Sequence, residues 1–113
     1  MDSHLIYNAS KALKNKITWD RVTADSEWIH IGTANTIRKE FIIDAIINHF
    51  TDNVLLIAST RKESVQIIKG NIGNVIDGFL ANNNFIIWDT TFKKAIEFNA
   101  IGTMRCGQLN TIK

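Results

Sequence analysis

The chain contains no proline, only six glycines and one cysteine among its 113 residues. The absence of proline excludes collagen-like and proline-rich chains. A single thiol, Cys106, cannot close an internal disulfide, so nothing points to an oxidising compartment. Long apolar runs are missing too. The longest, such as Val54-Leu55-Leu56-Ile57-Ala58, reach about five residues, where a membrane helix needs about 20. The opening Met1-Asp2-Ser3-His4 carries neither the basic nor the apolar region of a secretion signal. Charge of one sign is also scarce: 13 Lys and Arg against 11 Asp and Glu leave +2 with neutral histidines. The basic residues are scattered, with Lys11, Lys14 and Lys16 the only tight group near the start. A nucleic-acid binder usually shows a basic stripe that neutralises several phosphates. The expectation is a cytoplasmic protein with neither a membrane nor a nucleic acid as its partner.

What is present is ordinary globular material, 45% hydrophobic and 21% charged, which excludes a disordered chain. The length suits one hydrophobic core, so residues 1–113 read as a single globular domain. Ser3 to Ile17 has a helical pattern, with Ser3 as its cap and Leu5, Ile6, Ala9, Leu13 and Ile17 near one face. Asp20 to Glu27 is a polar connection, and Trp28-Ile29-His30-Ile31 a short strand ended by Gly32. A second helix follows, capped by Thr33, Asn35 or Thr36, with Ile37, Phe41, Ile42, Ala45, Ile46, His49 and Phe50 at the 3.6-residue period. Val54 to Ala58 suits a central strand buried on both faces, as in parallel sheets. Thr60-Arg61-Lys62-Glu63 has the capping-box form, which predicts a helix from Arg61 to Lys69 closed by Gly70. Asn71 caps a further helix through Leu80, stopped by Asn82-Asn83-Asn84. Phe85 to Trp88 and Ala95 to Phe98 read as an antiparallel hairpin, and Gly102 to Leu109 as a last strand. The predicted class is therefore α/β (α+β). The expected architecture is one mixed sheet of four or five strands covered by helices, in the order α-β-α-β-α-α-β-β-β, with parallel crossovers.

In such a sheet, ligands sit beyond the carboxyl ends of the parallel strands. That rim would gather Thr33 and Asn35, then Thr60, Arg61 and Lys62, then Asp89, as a site for an anion. No glycine-rich phosphate loop accompanies it. His4, His30 and His49 are not spaced as metal ligands, and one cysteine cannot complete a zinc site, so no metal or cofactor is expected. His30 and His49 read as packing or surface side chains. Cys106 lies beside Arg105, yet the Cys-x5-Arg phosphatase loop is absent because position 112 is Ile112. Ser59 lacks the GxSxG elbow. Asp89 and Glu97 flank the hairpin and read as solvated carboxylates more than as an acid–base pair. Trp88 is predicted in the core, Trp28 in the core or at an edge, and Trp19 as an exposed aromatic anchor.

By exclusion, a binding protein is favoured over an enzyme. The layout, with the hairpin Phe85-Ile86-Ile87-Trp88-Asp89 turning into Lys94-Ala95-Ile96-Glu97-Phe98, resembles the small immunity proteins of bacterial polymorphic-toxin and contact-dependent growth inhibition systems. That resemblance implies a non-catalytic domain that binds and neutralises one cognate toxin nuclease domain. Candidate partner-binding residues are Trp19, Asp20, Asp25 and Glu27. Such families meet basic nucleases with acidic patches; this chain is slightly basic, which points to an acidic toxin surface or a contact away from the active site. The alternative is a small ligand- or phosphate-binding domain, enzymatic or not, using the strand-end rim. A homodimer paired through an exposed sheet edge is the third reading.

Overall fold

The computed structural model describes residues 2–33, 36–80 and 84–109. In chain order the elements are α1 (Ser3–Leu13), β1 (Ile17–Trp19), β2 (Ile29–His30), α2 (Lys39–His49), β3 (Val54–Ala58), β4 (Val65–Ile68), α3 (Ile72–Leu80), β5 (Phe85–Asp89), β6 (Lys94–Asn99) and β7 (Thr103–Leu109). Short 3-10 turns occupy Lys14–Lys16 and Lys69–Asn71. All seven strands join one sheet in the order β1-β7-β6-β5-β3-β4, and β2 also pairs with β7. Every one of these pairings is antiparallel.

Side-chain alternation along the strands divides the core into two. Leu55, Ile57, Phe85, Ile87, Ile96, Phe98 and Met104 face α2 and α3, where Ile42, Ile46, Ile72 and Ile76 are buried against them. Leu56, Ala58, Ile86, Trp88 and Ala95 face the other way and receive Ile6 of α1. Trp88 is fully buried there, and its indole N–H donates to Ser10 Oγ at 2.8 Å. The sheet is thus the middle layer of three.

That layering explains the largest correction. The sheet has seven antiparallel strands, not four or five with parallel crossovers. The apolar run Val54–Ala58 is buried on both faces as expected, but helices cover both sides of an antiparallel sheet and remove the need for parallel neighbours. The element order is accordingly α-β-β-α-β-β-α-β-β-β. The helix expected from Arg61 to Lys69 is replaced by a turn and the edge strand β4. Thr60 Oγ1 does accept from Glu63 N at 3.1 Å, so the capping bond forms. The β-branched residues of Val65-Gln66-Ile67-Ile68 then pair with β3 instead of continuing the helix. Gly70 has no positive φ. The first helix is shorter than expected: it stops at Leu13, Ile17 starts β1, and Asp2 caps it by accepting from Leu5 N at 2.9 Å. The hairpin of β5 and β6, the helix α3 and the final strand β7 stand where the sequence placed them. No described helix is long and apolar enough to cross a membrane.

Candidate functional site

The antiparallel sheet disperses the anticipated anion rim. Leu55 pairs with Asp89 and Ala58 with Ile86, so Asp89 and Thr60 lie at opposite ends of neighbouring strands. Thr33 follows β2, at the same end as Thr60 but four strand spacings away, roughly 19 Å. Thr33 and Thr36 bond to each other, with Thr36 Oγ1 donating to Thr33 O at 2.7 Å. Arg61 lies beside α1, where its carbonyl accepts from Ser3 Oγ at 2.6 Å and its guanidinium stands 5.8 Å from the Tyr7 ring. Lys62 is exposed in the same turn. Asn35 lies outside the described residues. Asp89 is not a solvated carboxylate: it is buried, and its Oδ1 accepts from Lys93 N at 2.8 Å and Lys94 N at 3.3 Å, closing the hairpin.

A different constellation assembles on the α1 side of the sheet. The β6–β7 register sets Glu97 opposite Arg105. Arg105 Nε donates to Glu97 Oε1 at 2.7 Å, Nη2 meets the same oxygen at 2.7 Å, and Nη1 donates to Glu27 Oε1 at 2.9 Å. The guanidinium carbon stands 4.2 Å from the Trp19 ring centre and 4.4 Å from that of Trp28. One cation is therefore stacked between two indoles and forked by two carboxylates. Such an arrangement uses the planarity of arginine, which lysine lacks.

Local sequence makes the stack possible. Trp19 pairs with Gly107, two residues beyond Arg105 on the same face of β7. A Cβ on Gly107 would meet Thr18 O at 2.6 Å and the Trp19 ring at 2.8 Å. The missing side chain lets the Trp19 ring lie over β7 and reach Arg105. The polar connection 20–28 reverses the chain through a bridge between Thr23 and Ser26, and returns Glu27 and Trp28 to the same spot. Helix α1 packs mainly on β3 and β4 and borders this constellation at Glu97, which lines the cleft beside the helix. Trp19, Trp28, Glu27, Glu97 and Arg105 are each partly exposed.

Of the four residues expected to bind a partner, Trp19 and Glu27 converge on Arg105. Asp20 and Asp25 are exposed in the adjoining connection. Glu97, expected to be solvated, is committed to Arg105. Trp28 and Arg105 were missed as site residues. The Arg105–Glu97 pairing had a signal: a tight turn between Asn99 and Thr103 fixes every cross-strand pair, Glu97 with Arg105 included. The two tryptophans had none, because their meeting depends on a chain reversal with no strong turn motif.

Cys106 and His49 are tied into the fold. Cys106 is pushed up to about 11 by burial and, secondarily, by the Asp20 carboxylate. Its thiol is thus protonated near neutrality, and a thiol-specific disulfide reagent should react slowly with the folded chain and rapidly once urea unfolds it. Fast reaction in the native state would contradict the burial of this strand. His49 is half-buried at the end of α2, with Nε2 3.1 Å from Gly107 O. Burial lowers its pKa below the ordinary 6.5, Lys94 adding to the effect. The unfolded chain then binds the extra proton first, so the His49 contribution is intact above about pH 6.5 and is lost as pH falls below it. Urea midpoints of wild type and His49→Gln should converge between pH 7.5 and 5, relative to their separation at pH 7.5; a constant separation would contradict the shift.

Comparison of the chain with protein-family models, with curated proteins and with solved structures finds no match.

Proposed function

We propose that this protein is a non-catalytic binding domain that recognises a protein partner through the open sheet face around Arg105, in the manner of an immunity protein neutralising a toxin nuclease domain. The observation that carries the reading is the Trp19–Arg105–Trp28 stack, whose three side chains are partly exposed. Tryptophan and arginine are the residues most enriched among those that dominate binding energy. Holding Arg105 in place before binding lowers the ordering cost of association, because Glu27 and Glu97 already fix its guanidinium. The exposed Asp20 and Asp25 form a polar rim beside this centre, the arrangement of many interfaces. The thiol of Cys106 stays protonated and the ring of His49 is engaged by a backbone carbonyl, so neither is poised as nucleophile or base.

The test begins with capture of the partner by the immobilised full chain from its native cell, followed by affinity measurement on the purified pair. Trp28→Ala should weaken binding by roughly 30-fold, the loss expected of a central anchor. Arg61→Ala, beside α1, should leave it unchanged. Equal affinity for Trp28→Ala and wild type, with both folded by circular dichroism, would place the interface elsewhere. If the partner is a nuclease domain, an equimolar amount of the chain should stop its cleavage of nucleic acid; undiminished cleavage in the saturated complex would reject the immunity role.

A further inference from the structure

We propose that the cleft between α1 and β6 binds a small ligand through an anionic group, a carboxylate or a phosphate monoester. The cavity measures about 180 Å³. Tyr7, Lys11 and Lys14 form one wall, Ser59 and Asn84 the other, and Ile86 lies between them. Its hydrogen-bonding groups are mostly donors. Lys11 and Lys14 are three residues apart, so their ammonium groups project from neighbouring positions of the same helical stretch. Neither makes an ion pair or side-chain hydrogen bond among the described residues. The one carboxylate in the described lining, Glu97, has Oε1 engaged by Arg105, and the two lysines outnumber it in the cleft. Ser59 Oγ is buried at this wall with no hydrogen-bond partner among the described residues. Asn84 Oδ1 accepts from Ala100 N at 2.7 Å, which leaves its amide NH₂ as a donor.

Lysines in the last turn of a helix are partly explained by the negative end of its dipole. That accounts for their sign. It does not account for a cavity of donors beneath them or for a buried hydroxyl left without a partner, since buried polar groups are nearly always satisfied. Two ammoniums, a hydroxyl and an amide NH₂ around one cleft select an acceptor-only, negatively charged group. The cleft takes in the end of β3 next to Thr60 and shares Glu97 with the Arg105 constellation, but its binding groups Lys11, Lys14 and Ser59 are not among the residues on which the partner reading rests, Trp28 and Arg105.

The test is an NMR titration of the ¹⁵N-labelled full chain with inorganic phosphate and, separately, with succinate. One saturable site is expected, with the largest shifts at the amides of Lys11, Lys14 and Ser59. The anion that binds more tightly assigns the ligand class. Lys11→Gln combined with Lys14→Gln should raise the dissociation constant at least about tenfold, and Ser59→Ala several-fold, while Lys62→Gln leaves it unchanged. The spectra themselves report folding of each variant. Shifts that stay linear to 50 mM for both anions, or an unchanged constant in the double variant, would overturn the proposal. Partner capture is unaffected by either result.

Discussion

Trp88→Ala should destabilise the chain by about 3–5 kcal/mol and lower its melting temperature by roughly 10–20 °C. Trp88 is the largest fully buried side chain, at 0% exposure on the α1 side of the sheet. Its removal opens a cavity between β5 and α1 that Ile6, Leu56 and Ala95 cannot collapse to fill, because each belongs to a different element. It also strands Ser10 Oγ, buried at 5% exposure, without its indole donor. Trp88→Phe separates the two effects. It retains most of the volume and loses the hydrogen bond, so a smaller cost of about 1–2 kcal/mol is expected. Urea unfolding of both variants provides the ordering. A Trp88→Ala loss no greater than that of the exposed Thr90→Ala would contradict the packing of α1 on the sheet.

Arg105→Ala should cost about 2–4 kcal/mol, because the change leaves Glu27 and Glu97 without their shared cation and removes the surface on which two indoles stack. The lower end is expected, since the side chains involved keep 21% to 35% of their exposure. Arg105→Lys restores the charge but neither the fork nor the planar stack, and should recover less than half of the loss. Adding Glu27→Gln and Glu97→Gln to Arg105→Ala should restore part of the stability, because neutral amides tolerate the lost cation better than paired carboxylates. Urea midpoints of the four proteins decide this. Full rescue by lysine would show that the guanidinium plane contributes nothing.

The parts of this fold legible in the sequence were those governed by local pattern. Ile72, Val75, Ile76, Phe79 and Leu80 specified α3, and Phe85–Asp89 with Lys94–Asn99 specified a hairpin, because hydrophobic period and turn chemistry agreed in each. Thr60–Glu63 misled because a one-turn cap and a full helix begin with the same bond; Ile67 and Ile68 then found a better partner in β3. Val54–Ala58 was rightly placed as a strand buried on both faces, but burial carries no information on strand direction. That single gap created the false rim, since only parallel strands would bring Thr60 and Asp89 to one end. Glu97 and Arg105 could have been paired from the turn between β6 and β7. Trp19 and Trp28 could not, because residues 20–28 fold back through contacts with β7 that are distant in sequence.

The most direct test of the binding face is hydrogen–deuterium exchange of the full chain, free and saturated with its captured partner. Slowed exchange should concentrate at residues 18–30 and 94–108, around Trp19, Trp28 and Arg105, with α2 and α3 unchanged. Protection confined to α2, α3 or the β4 edge, with the Arg105 stack exchanging as in the free chain, would contradict the assignment.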